Sequence, residues 1–276
     1  MSWQSYESAD ERDRKQDSGH VTSGEGLAFE DGGWLREDTL IEAPEYQWRG
    51  RTGQFTVLLG DGVFKPSSTS VALADALQIS PGDTVVDVGC GCGVLSFVAA
   101  RLEAERVVGC DISEAAVAVA DANAKRLGLQ DRTEFRAGNL LEPVTDVPAN
   151  IVIGDVSGIP DPIAEATGWF PGGRGGGPTG AELPVAMLEG VSDVLQPGGR
   201  LYLPTGTIQA EESVLATARR VFGDRLEMVL ERTFPLPDLV LRSKAVGRLV
   251  TDGVVNLSKR GSRLLWRLRV WMCTRP

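Results

Sequence analysis

Between residues 84 and 222 the apolar positions switch repeatedly between two periods. Short β-branched runs (Thr84–Val88, Arg106–Cys110, Thr133–Arg136, Ile151–Ile153, Arg200–Leu203) alternate with stretches whose apolar residues recur every three or four positions (Val94/Val98/Leu102, Ala115–Leu127, Leu183/Met187/Val191/Val194, Val214/Ala218/Val221). This alternation predicts a mostly parallel sheet with crossover helices. Ahead of it, residues 46–66 alternate around glycine turns and predict a small β-hairpin unit. KPSSTS then supplies caps for a helix carrying Leu73 and Leu77. Behind it, LEMVLERTF (226–234) and LLWRLRVWMC (264–273) predict strands that pair antiparallel at a sheet edge. In the second, Trp266, Leu268, Val270 and Met272 share one face, and Arg267 and Arg269 the other. Residues 1–33 are too poor in apolar side chains to order without docking, and residues 1–45 read as a polar tail or lid. The organisation expected is therefore a tail (1–45), a hairpin unit (46–66) and a main α/β domain (67–276).

The chemistry centres on DVGCGCGV (87–94), where an apolar strand runs straight into glycines and an amphipathic helix follows. Glycines at a strand-to-helix turn let a ligand approach backbone that side chains would block, which fits any nucleotide cofactor. A dinucleotide fingerprint needs G-x-G-x-x-G/A, whereas Gly89, Gly91 and Gly93 alternate and Val94 fills the sixth position, which weakens NAD. A zinc site on Cys90-x-Cys92 fails on spacing, and Cys110 and Cys273 do not form a second pair.

Asp87 stands two residues before the first glycine, and a second strand ends at Asp111, eighteen residues after Gly93. There it is placed to accept hydrogen bonds from ribose hydroxyls. With D-x-G-x-G-x-G, then V-x-G-x-D, then FRAGNLLE, the chain resembles the class I S-adenosylmethionine-dependent methyltransferases over roughly residues 60–235. The resemblance implies a Rossmann-like, mostly parallel seven-stranded sheet with an antiparallel edge hairpin and a small N-terminal β extension. It also implies S-adenosyl-L-methionine as cofactor. Asp87, Gly89, Gly91 and Gly93 would hold the methionine end and Asp111 the ribose. Asn139 and Leu140 would meet the adenine edge, with Phe64, Ile112 and Asp155 completing the contacts.

Segments 62–77 and 176–183 look like those of protein-glutamine methyltransferases and related small-domain enzymes. Their acceptor motif Asn-Pro-Pro-Tyr is here Asp155-Val156-Ser157-Gly158, so Asp155 keeps the acceptor oxygen while the prolines and the aromatic plate are gone. Asp155 is the candidate for acceptor orientation or proton removal. Glutamine specificity does not carry over, and the expected reaction is N-methylation, or O-methylation, of a small-molecule or amino-acid-like acceptor. PGGRGGGPTG (171–180), with Trp169 and Phe170, reads as a lid or a plain loop.

Composition narrows the alternatives. His20 is the only histidine, which disfavours Ser-His-Asp, Cys-His and His-zinc chemistry. Four cysteines, three in apolar or glycine-rich runs, read as reduced thiols, and no signal sequence or membrane span is evident, so a cytoplasmic protein without membrane partners is expected. A net charge of −10 argues against nucleic acid, but the charge is uneven: residues 1–47 hold twelve acids against four bases, and residues 242–276 nine bases against Asp252 alone. Lys259, Arg260 and Arg263 are candidates for an anionic group on the acceptor. Two other readings stand: an NAD-dependent oxidoreductase, and a non-catalytic S-adenosylmethionine-binding subunit.

Overall fold

The computed structural model describes residues 43–168, 175–237, 240 and 242–276. Residues 1–42 of the expected tail, with His20, and Trp169, Phe170 and residues 171–174 of the glycine-rich segment lie outside them. All described residues belong to a unit that begins at Leu35.

A two-stranded antiparallel hairpin, β1 (Glu45–Gly50) and β2 (Gly53–Leu58), leads into α1 (Ser68–Ala76). Ser67 caps α1 in a reciprocal box with Ser70, which satisfies two backbone N–H groups that the first turn leaves open. There follow β3 (Thr84–Val88), α2 (Val94–Arg101), β4 (Arg106–Asp111), α3 (Glu114–Leu127), β5 (Thr133–Ala137), β6 (Ala149–Gly154), α4 (Asp161–Thr167), α5 (Glu182–Val194), β7 (Leu195–Gly206), α6 (Glu211–Phe222), β8 (Leu226–Pro235), α7 (Lys244–Thr251), β9 (Ser258–Arg260) and β10 (Arg263–Thr274).

Seven strands lie side by side in the order β5-β4-β3-β6-β7-β10-β8, and short β9 adds an eighth by pairing with β10. β3 to β7 run parallel, and β10 is antiparallel to both β7 and β8. The chain moves outward from β3 to β5, then returns to place β6 on the other side of β3. That reversal opens a crevice at the carboxyl ends of β3 and β6, where open α/β sheets bind ligands.

Strand alternation divides the core between the two faces. Val85, Val107, Ile151, Ile153 and Tyr202 pack under α1, α2 and α3. Val86, Val88, Val108, Val152 and Leu201 pack under α5 and α6. In α2 every residue from Val94 to Ala100 is buried, so the helix expected to be amphipathic is enclosed on all sides. One strand differs from the sequence pattern. β7 starts at Leu195 because Leu195 already pairs with Ala149, and the register then shifts across the glycine turn that masks its periodicity. The expected antiparallel pair at the sheet edge is present, with β10 between β7 and the outermost strand β8.

Candidate active site

Gly89 to Gly93 form the turn from β3 to α2, and its three glycines answer different needs. All three have positive φ, at 77°, 53° and 89°. A Cβ on Gly89 would sit 2.8 Å from the Asp155 carbonyl oxygen, so this residue lets the loop after β6 approach. A Cβ on Gly93 would meet the Phe97 ring at 2.6 Å, so this one seats α2 against the sheet. At Gly91 the nearest atom is the Phe64 carbonyl oxygen, 3.9 Å away. Its backbone can therefore be approached by a ligand.

The turn is anchored to β4. Gly89 and Cys90 N–H both donate to the Cys110 carbonyl, at 2.8 and 3.0 Å. Gly91 N–H donates to Asp111 Oδ2 at 3.0 Å, and Ser113 N–H to Asp111 Oδ1 at 2.9 Å. A carboxylate has about four acceptor positions, so Asp111 supports the turn and keeps capacity for hydroxyl donors. Beside it Ile112 is 75% exposed, a large apolar side chain held at the rim. Gly138 N–H donates to the Asp111 carbonyl at 2.9 Å, and the Cys110 thiol to the Leu140 carbonyl at 3.1 Å, which bring the loop after β5 alongside. Leu140 has φ 48°, a left-handed conformation that a γ-branched side chain rarely adopts. Exposed Asn139 donates to Glu142 at 3.3 Å.

Two carboxyl groups face this turn with raised pKa values. Asp87 is fully buried, and burial lifts it to about 7 despite the hydroxyl of Ser96, which donates to its Oδ2 at 2.6 Å. Its Oδ1 has no partner among the described residues. Asp155 is lifted to about 6, again by burial, against a hydrogen bond from Ser70 Oγ to its Oδ2 at 3.1 Å. The thiols take no part in this polar set. Burial pushes Cys92 and Cys110 up to about 12 and Cys90 well above its ordinary value, so they are protonated fillers.

Four positioning residues do not stand out as site residues in the sequence. Ser70 reads there only as part of a capping segment. Asn123 is fully buried, accepts from Leu58 N–H at 2.7 Å and donates to the Leu58 and Cys92 carbonyls at 3.1 Å each, joining the hairpin to the glycine turn. It does carry a signal: an amide on the apolar face formed by Ala116, Val119, Ala120 and Ala124. Ser157 Oγ and Gln209 Nε2 are buried without partners among the described residues. Gln209 Oε1 would lie 2.6 Å from a Cβ on Gly158, so the loop after β6 reaches the turn after β7 because residue 158 is glycine. No periodicity marks these two.

A family model described as a methyltransferase domain matches residues 79–231. A ribosomal protein L11 methyltransferase of Pelotomaculum thermopropionicum is 37% identical over 145 residues, covering 49% of this chain and 46% of that one. Another, of Bacillus cereus, is 30% identical over 165 residues, covering 60% and 45%. The chain thus spans about half the length of the curated relatives it matches. Among solved structures, an M. jannaschii tRNA m1G37 methyltransferase superposes with a TM-score of 0.54 at 14% identity, over 85% of this chain and 55% of that one. A T. thermophilus 16S rRNA N2 G1207 methyltransferase, in complex with AdoMet and guanosine, does so at 0.53 and 17%, over 84% and 50%.

These findings correct the expected partners. The relatives are named for a ribosomal protein and the fold neighbours for RNA, which contradicts a small-molecule acceptor and the exclusion of nucleic acid. The net charge of −10 is a sum over an acidic N-terminal stretch and a strongly basic C-terminal segment. Among the described residues no helix is long and apolar enough to cross a membrane.

Proposed function

The chain belongs to the methyltransferase-domain family, and from that premise we propose that it methylates an amino nitrogen of a protein, with S-adenosylmethionine as donor. The residues of the turn suit that donor. Gly91 leaves backbone open to its methionine end, Asp111 has spare acceptor capacity for two ribose hydroxyls, and Ile112 offers an apolar face to adenine. The unpartnered Oδ1 of Asp87 adds negative potential for a cationic ligand. Bound S-adenosylmethionine supplies an electrophilic methyl group on a sulfonium, and its displacement rests on alignment and exclusion of water.

The observation that carries the acceptor reading is Asp155. An ammonium must lose a proton before its nitrogen can attack. With its pKa raised to about 6, Asp155 is ionised at neutral pH yet more basic than an ordinary carboxylate, which suits a general base. Ser70 fixes one oxygen and leaves the other for the acceptor. The departure from Asn-Pro-Pro-Tyr supports a tetrahedral amine over a planar amide: position 158 offers no ring to stack on, and position 155 carries a charge that draws an ammonium. The L11 methyltransferase relatives support a protein acceptor.

The test is methyl-labelled S-adenosylmethionine with purified ribosomal protein L11 and, separately, a total ribosomal protein fraction. Label should appear on protein amines and disappear with Asp155→Asn. Label found only in nuclease-sensitive material, or on no acceptor, would refute the protein assignment.

A further inference from the structure

β10 enters the sheet from its carboxyl edge. Leu268 pairs with Gly206 at the end of β7 and Thr274 with Arg200 farther back, so residues before Leu268 overhang the edge that carries the glycine turn, Asp111 and Asp155. There β9 folds back on β10 and sets Arg260 directly opposite Arg263. Opposed residues share a face with Cβ atoms ~4.5–5.5 Å apart, and like charges placed so repel. Arg267 is on the same face, about 13 Å along the strand at ~3.3 Å per residue. All three are exposed, and none makes an ion pair or side-chain hydrogen bond with another described residue.

Two positions further, the pattern changes. Arg269 is held by Glu211 at 2.6 Å and Glu231 at 2.8 Å, and Arg232 on β8 by Asp75 at 2.6 Å. Among the described residues, acids thus pair with the arginines farther along the strands and with none of the three at the overhang. Exposed Lys244 and Arg248, one turn apart on α7, add to the charge, and Asn256 N–H donates to the Thr207 carbonyl at 2.7 Å, tying the segment after α7 to the end of β7. Mutually repelling arginines on a rigid ribbon cost stability and gain no intrachain partner.

We propose that the β9–β10 hairpin binds the phosphate backbone of RNA beside the active site. The arginine fork matches phosphate oxygens two at a time, and the row of three is held at fixed spacing by the strand ladder. Trp266, the only aromatic between 258 and 267, is turned inward against Phe234 with ring centroids 5.3 Å apart. The exposed face therefore offers charge without a stacking surface, which suits phosphate contact over base reading. The hairpin uses none of the residues assigned to methyl transfer, so either reading can fail without the other.

The experiment is a fluorescence-anisotropy titration of the full chain with labelled oligouridylate at several salt concentrations. Wild type should bind with a steep salt dependence. Arg260→Gln/Arg263→Gln/Arg267→Gln should lose about tenfold or more in affinity and flatten the log–log salt slope by about 2, three contacts at ~0.7 each for single strands. Its S-adenosylmethionine titration, unchanged, reports an intact fold. The control Arg219→Gln/Arg220→Gln removes two exposed, ion-paired arginines of α6 and should bind RNA as wild type does. Failure of wild type to bind at low salt, equal binding by the triple variant, an equal loss in the control, or stronger competition by polyglutamate than by unlabelled RNA would each overturn the proposal.

Discussion

Ser70 Oγ donates to Asp155 Oδ2 at 3.1 Å, joining the first turn of α1 to the loop after β6 across 85 residues of sequence. The same hydroxyl accepts from Ser67 N–H at 3.3 Å, so the helix cap and the candidate base share one atom. Because this bond favours the ionised carboxyl, Ser70→Ala should raise the Asp155 pKa above about 6 and move the acid limb of the pH–rate profile upward. Asp155→Asn should cost roughly 10²–10⁴ in kcat, the usual contribution of a positioned base. Rate profiles from pH 5 to 9 measure both, and an unmoved limb in Ser70→Ala would separate Ser70 from the base.

Asp87 makes stability depend on pH in a definite direction. Its folded pKa is raised from 3.8 to about 7, so its contribution is fully present below about 3.8 and is lost as pH rises through about 7. Three pKa units at ~1.36 kcal/mol each come to about 4 kcal/mol. Urea unfolding at a series of pH values should show a decline over this window that is absent in Asp87→Asn. Binding of cationic S-adenosylmethionine should be accompanied by proton release from this region, and so tighten between pH 6 and 8 more than binding of the uncharged-sulfur product does.

Two glycine substitutions should separate folding from binding. Gly93→Ala meets both a φ of 89° and the Phe97 ring at 2.6 Å, and should destabilise the fold by roughly 2–4 kcal/mol. Gly91→Ala has only its φ of 53° to accommodate and should cost about 1–2 kcal/mol, yet it places a methyl group where the ligand approaches. Thermal melts and cofactor titrations of both variants should therefore rank in opposite orders.

Asn123→Ala removes three buried hydrogen bonds and leaves Leu58 N–H and the Leu58 and Cys92 carbonyls unmatched. A loss of about 3 kcal/mol is expected from the desolvation of such groups. The cofactor affinity should fall as well, since the Cys92 carbonyl belongs to the glycine turn. A variant with wild-type melting would contradict the role assigned to this amide.

The elements with strong periodicity are legible in the amino-acid sequence. α3 and α5 are bounded within a residue of their apolar patterns, and the glycines and Asp111 are local signals that a strand-to-helix turn makes readable. What escapes are relationships between distant segments. Ser70 meets Asp155, Gln209 meets Gly158, and Asn123 meets Cys92 through tertiary contact, which no local period encodes. The antiparallel edge pair of β8 and β10 is legible, but which of the two lies against β7 is not, because an amphipathic strand shows which face it buries and not its order in the sheet. The basic C-terminal segment, by contrast, is legible once charge is read by position, with nine bases against Asp252 over residues 242–276.

Calorimetric titration of the chain with S-adenosylmethionine tests the central claim most directly, with Asp111→Ala alongside. The account predicts one-site binding by wild type and a loss of roughly 100-fold in the variant, the worth of two charge-assisted hydrogen bonds at ~1.5 kcal/mol each. Binding of NAD in preference to S-adenosylmethionine, or undiminished S-adenosylmethionine binding by Asp111→Ala, would contradict it.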